Sequence, residues 1–183
     1  MGILDFALEV STAQNVSPQT LFQLSTNVID LKAFTNIGAG ERLYMEFQVT
    51  TAFAVSSGTP EMQFGIVVAD NDIFTVNPVV QGKTGGPFIP APSSPALLAA
   101  VMTLGARFYI PIPDLSRFIT GQGGNSAANF GRPDYLKKFI AAVYWQPQVA
   151  TAAFSAGSVS ARIVVNPSAA HALDMIFPAS TNT

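Results

Sequence analysis

Cysteine is absent from all 183 residues and histidine occurs once, at His171. Without cysteine there are neither disulfides nor thiolate metal ligands, so stability has to come from packing. One imidazole and no thiolate leave a zinc site without its usual ligand set. A Ser-His-acid triad would have to use that same histidine, and no Gly-x-Ser-x-Gly elbow accompanies it. Paired carboxylates for sugar hydrolysis are a matter of distance in the fold, which spacing along the chain does not give. With no motif pointing to catalysis, neither enzymatic turnover nor a cofactor is expected.

Charge is the second scarcity. Only 11% of residues are charged, 9 basic and 11 acidic, for a formal net charge of −2; ordinary soluble domains carry roughly 25%. So few charges cover a lone monomer poorly, which predicts burial against further copies or a partner. Lys137-Lys138 is the sole adjacent basic pair, far from the basic stripe that nucleic acid demands, so no nucleic-acid partner is expected. Long apolar runs are missing too. Pro95 to Met102 and Phe139 to Trp145 fall well short of the roughly 18 residues of a membrane span. Residues 1–10 lack the basic region of a secretory signal, and no membrane partner is expected.

What the chain does have is period-two alternation, which places apolar side chains on one face of a strand. Leu43, Met45, Phe47 and Val49 alternate with Tyr44, Glu46 and Gln48. Asn27 to Lys32 forms a second extended segment, joined to the first by the turn Asn36-Ile37-Gly38-Ala39-Gly40. Further strands are predicted over Met62 to Ala69, over Leu104 to Ile112 with Leu104, Ala106, Phe108, Ile110 and Ile112 on the apolar side, over Tyr135 to Gln146 and from Gly157 to Val165. In the third of these, Phe139, Ala141, Val143 and Trp145 are read as the core side, with a helix as the runner-up for the segment. In the last, Val159, Ala161, Ile163 and Val165 point inward. Pro111-Ile112-Pro113 predicts an edge or a strand terminus there, because proline gives the sheet no donor.

Between the strands, Asn77 to Pro95 is rich in proline and glycine and reads as a long irregular loop. Its Gly82-Lys83-Thr84 lacks the glycine at position 77 of a phosphate-binding loop, where Asn77 stands. Asp70-Asn71-Asp72 reads as turn chemistry, without the further ligands of a calcium loop. Pro95 to Met102 suits a short helical turn, and Gln148 to Ala156 reads as a loop. The expected organisation is one sandwich domain over residues 21–167. Residues 1–20 form an N-terminal arm or edge strand, and residues 168–183 an apolar tail that docks on its own subunit or a neighbour.

Several blocks, in order, resemble the Bbp16-like capsid cement (decoration) proteins of tailed bacteriophages. They are Ile3-Leu4-Asp5, Ser25 to Leu31, Ile37 to Glu41, Leu43-Tyr44 with Gln48 to Phe53, Gly105 to Phe108 with Ile110-Pro111, Tyr135-Leu136, and Phe154 to Val159. The resemblance spans most of residues 3 to 165. It implies an all-β fold, an antiparallel jelly-roll-like β-sandwich with long loops and extended termini. It further implies a dimer or trimer on the outer surface of the virion head, clamping adjacent major capsid proteins. The contact residues expected on this view are Ile3, Leu4, Phe6, Leu8 and Val10, then Phe88 and Ile89, and finally Leu173, Met175, Ile176 and Phe177. The competing reading is a lectin-like jelly-roll module on the virion that binds host glycans through Tyr109, Tyr144 and Trp145.

Overall fold

A computed structural model describes residues 8–16, 22–30, 43–69, 88–112, 139–146, 152–165, 167 and 174–176. Eleven strands run through them: β1 (Glu9–Asn15), β2 (Phe22–Leu24), β3 (Ile29–Asp30), β4 (Leu43–Ser57), β5 (Glu61–Ala69), β6 (Phe88–Ser93), β7 (Leu97–Leu98), β8 (Arg107–Pro111), β9 (Phe139–Trp145), β10 (Ala153–Val165) and β11 (Asp174–Ile176). They form two sheets. Sheet A has the order β1-β10-β4-β8-β11; sheet B has the order β2-β9-β5-β6, with β3 also on β9 and β7 also on β5. The protein is an all-β sandwich. Pairing is antiparallel except for β11, which runs parallel to β8.

The core lies between the sheets and is organised around four aromatic rings. Phe47 and Phe108 are cross-strand partners in sheet A, and Phe64 and Tyr144 are cross-strand partners in sheet B. Phe64 stacks on both Phe47 and Phe108, at centroid distances of 5.1 and 5.3 Å, while the Tyr144 ring meets Phe47 and Phe64 edge-on. Such offset and edge contacts suit the ring quadrupole, and each fully buried ring contributes on the order of 2–3 kcal/mol by area. Met45, Ile66, Ile110, Ile140, Val159 and Ala161 complete the interior.

The alternation in β4, β5, β8 and β10 reads true: Met45, Phe47, Val49, Phe64, Ile66, Phe108, Ile110, Val159, Ala161 and Ile163 are buried. Leu104 and Val165, also expected inward, are exposed because each lies just outside or at the very end of its strand. In β9 the assignment is reversed. Ile140, Ala142 and Tyr144 face the main core, whereas Phe139, Ala141, Val143 and Trp145 gather with Val67, Leu24 and Val28 in a second apolar cluster on the opposite face of sheet B. Both faces of β9 are apolar, so the period is legible but its inward side is not. Gly65 makes room there: a Cβ on it would stand 2.7 Å from the Trp145 ring.

Other boundaries differ from expectation. β3 pairs with β9 in sheet B, while β4 lies in sheet A, so the two segments flanking Asn36 to Gly40 are not hairpin partners. β4 runs on to Ser57, and β10 begins at Ala153, where a loop was expected. Phe53 and Phe154 meet edge to face at 5.1 Å in this extension, with Gly157 packed directly against the Phe53 ring. Phe88–Ser93 is a strand despite Pro90 and Pro92. It pairs with β5 on one side and is last in the sheet order, where a missing N–H costs no ladder bond. β8 ends at Pro111 yet lies between β4 and β11, so the proline marks a terminus rather than an edge. The 3-10 turn at Ala99–Val101 stands where the helical turn was expected.

The corner between the sheets is held by polar groups. Asn27 N–H donates to the Val10 carbonyl, the Gln14 amide donates to the Leu24 carbonyl, and Ser25 Oγ donates to the Asn27 carbonyl and accepts from Ala142 N–H. Deep inside, Ser11 Oγ on β1 and the Tyr144 hydroxyl on β9 are hydrogen-bonded at 2.6 Å. Burial pushes the Tyr144 phenol well above its ordinary pKa, with the Ser11 bond opposing the shift.

Candidate functional site

The contact residues expected from sequence do not come together on one surface. Val10 is fully buried in the subunit's own core, and Leu8 packs partly against it. Val10 is therefore no outward contact: it sits on β1, the first strand of sheet A, and the core claims its side chain. Phe88 and Ile89 open β6 at the margin of sheet B, opposite Ala69 and Val68. Met175 and Ile176 belong to β11 at the other margin of sheet A, in register with Phe108 and Tyr109. Ile3, Leu4, Phe6, Leu173 and Phe177 lie outside the described residues, as do His171, Asp70 to Asp72 and Gly82 to Thr84. The described contact segments are thus peripheral strands, two flanking sheet A and one flanking sheet B.

The aromatic platform of the glycan reading is dispersed. Tyr144 is in the core, Trp145 lies on the outer face of sheet B, and Tyr109 is buried on the outer face of sheet A.

One polar constellation does form, and it lies on that outer face of sheet A. Alternation sends Tyr44, Glu46, Gln48 and Thr50 outward from β4, Ser160 and Arg162 from β10, and Arg107 and Tyr109 from β8. Strand register then sets them in rows. Arg162, Glu46 and Tyr109 stand side by side, and Ser160, Gln48 and Arg107 form the next row. Arg162 and Glu46 are in ion-pair contact, with the Glu46 side chain 6% exposed and that of Arg162 27% exposed. Arg107 is diagonal to Glu46 on the other side and half-buried.

The hydrogen-bond accounting of this face is incomplete. Five buried side-chain polar atoms among the described residues have no hydrogen-bond partner, and four of them are here: Glu46 Oε1, Thr50 Oγ1, Arg107 Nε and Arg162 Nε. Glu46 Oε1 is close to the Arg162 guanidinium without the alignment of a hydrogen bond. Buried polar groups are normally satisfied, so these four atoms on one face are exceptions to that rule. Sequence alternation already turned these side chains outward. Their convergence depends on three strands from distant parts of the chain becoming neighbours, which no local pattern announces.

No protein-family model and no curated protein matches this chain. Among the described residues, no three His, Cys, Asp or Glu side chains are grouped to hold a metal ion.

Proposed function

We propose that the chain is a structural virion protein of a tailed bacteriophage, a cement protein that binds the outside of the icosahedral head and clamps adjacent major capsid proteins. It acts by binding, as a small homo-oligomer and without turnover, and the jelly-roll connectivity implied by the resemblance belongs to this reading. The observation that carries it is where the resembling blocks lie. Leu43 to Phe53, Gly105 to Pro111 and Phe154 to Val159 are far apart in sequence, yet they fall in β4, β8 and β10, which are adjacent in sheet A. Those three blocks thus share one sheet, while the block from Ser25 to Leu31 includes β3 of the other.

The rest of the proposal is physical. Peripheral strands such as β6 and β11 are suited to reach neighbouring subunits from a rigid sandwich. A few hundred Å² of apolar contact, at about 25 cal/mol per Å², contributes several kcal/mol before association costs. An oligomer touching two or three shell subunits gains on the order of 10²- to 10⁴-fold in avidity. The low charge content makes much of that binding insensitive to salt.

The test is to add the purified protein to heads of its phage stripped of it, measure occupancy by sedimentation, and locate the density in a particle reconstruction. Saturable binding to the outer surface, with heads more resistant to heat, is the expected result. Density inside the head, or no retention, would overturn the proposal. A glycan array run in parallel checks the lectin alternative, for which hits without head binding would decide.

A further inference from the structure

The few charges of this chain are unevenly placed. None occurs from Val10 to Ile29, from Phe47 to Pro60, from Thr84 to Ala106 or from Phe139 to Ala161. These runs are far apart in sequence, yet strand direction brings all four to one end of the sandwich. β4 finishes there at Ser57, in register with Ala153 at the start of β10. Asn15, the last residue of β1, pairs with Ser158, and Phe22, the first of β2, pairs with Trp145, the last of β9. The chain then turns at Gly58 and enters β5, whose first residue, Glu61, pairs with Leu98 of β7. The Met102 carbonyl and the Gly105 N–H bind β4 at Phe53 and Val49. Half-buried Glu61 is the sole charged residue among the described residues of this end, whereas Glu9, Asp30, Glu46 and Arg162 lie toward the other.

Three of the four large apolar side chains exposed among the described residues belong to the uncharged end: Val55, Leu98 and Leu104, the last 67% exposed. The fourth, Val165, closes β10 at the opposite end. Exposed apolar groups with no charge around them suit a contact surface, because interface cores are depleted of charge. A two-fold contact sets a surface against itself, so any charge on it meets its like. The uncharged end meets that condition, and the end that carries Glu9 and Asp30 does not.

We propose that two copies of the chain associate through this end, with Val55, Leu98 and Leu104 of one copy packed against the same end of the other. The proposal rests on the homo-oligomer of the preceding reading, for which it supplies the contact, and not on binding to heads.

The experiment is sedimentation velocity of the full chain, without heads, across the micromolar range. The expected result is a dimer whose dissociation constant changes little with salt. The double variants V55E/L104E and V55K/L104K should each weaken association roughly tenfold or more, because like charges then face each other. An equimolar mixture of the two should restore the dimer, and this restored dimer should weaken as salt rises. Val165→Glu, which places the same charge at the opposite end, should associate as wild type does. Unchanged circular dichroism and urea midpoint establish that each variant is folded; should a double variant fail there, Leu104→Glu and Leu104→Lys, at the most exposed of the three sites, repeat the comparison. Double variants that dimerise like wild type, a mixture no tighter than its components, or equal dissociation by Val165→Glu would overturn the proposal while leaving a homo-oligomer with another contact. A wild-type chain that stays monomeric would overturn the proposal and the homo-oligomer together. Head binding, measured as in the preceding subsection, is unaffected by either result.

Discussion

Removing both members of the Ser11–Tyr144 hydrogen bond should cost less than the sum of removing each alone. The two hydroxyls meet at 2.6 Å, with Ser11 at 0% and Tyr144 at 1% exposure. In Ser11→Ala the phenol stays buried without its partner; in Tyr144→Phe the serine hydroxyl does. Each single variant should lose about 1–3 kcal/mol, the desolvation penalty of an orphaned polar group. At roughly 2–4 °C per kcal/mol for a chain of this size, that is a drop in Tm from a few degrees to about ten. The double variant replaces both hydroxyls with apolar groups of nearly the same shape, so it should lie closer to wild type than the sum of the singles, by at least about 1 kcal/mol. Urea unfolding followed by circular dichroism measures all four corners of the cycle. The pH dependence gives a second reading. The Tyr144 pKa is raised in the folded state, so the unfolded chain ionises first as pH rises through about 10. The unfolded state then binds fewer protons, and stability present below that pH is lost above it. Tyr144→Phe should show a shallower alkaline loss. Singles within about 0.5 kcal/mol of wild type, or a strictly additive cycle, would refute the reasoning.

Three further outcomes follow from local geometry. Ala13 has φ +44° at an irregularity of the β1–β10 register, so Ala13→Gly should raise stability by up to about 1 kcal/mol in the same urea assay, and Ala13→Val should lower it. Gly157→Ala drives a Cβ to within 2.6 Å of the Phe53 ring; overpacking of this kind costs about 1–3 kcal/mol and should loosen the β4–β10 extension, read as faster amide exchange over Phe53 and Phe154. Gly65→Ala meets the far end of a half-buried side chain, Trp145, the sole tryptophan. The indole should swing outward, giving a red-shifted emission with a stability loss near the lower end of that same range.

Much of the scaffold was legible in sequence because burial on one side leaves a period of two. β4, β5, β8 and the second half of β10 all carry it with large side chains. The weaker elements did not. β6 is interrupted by prolines that only a marginal strand tolerates, and β11 is three residues held by a parallel neighbour. The first half of β10 is alanine and serine around Phe154, a composition with little periodic signal. The candidate polar face was half legible: Glu46, Arg107 and Arg162 were all turned outward, but nothing local makes them neighbours.

By itself the sequence determined the class of fold and the manner of its stability. Alternating apolar residues with no cysteine leave a packed sandwich as the source of cohesion. The tertiary structure alone decided that Tyr144 rather than Trp145 enters the core, that the segments around Asn36 to Gly40 go to opposite sheets, and that Glu46 on β4 meets Arg162 on β10. The reason is that alternation is a property of one strand. Which face is inner, and which strands lie side by side, depend on pairings between residues a hundred or more positions apart.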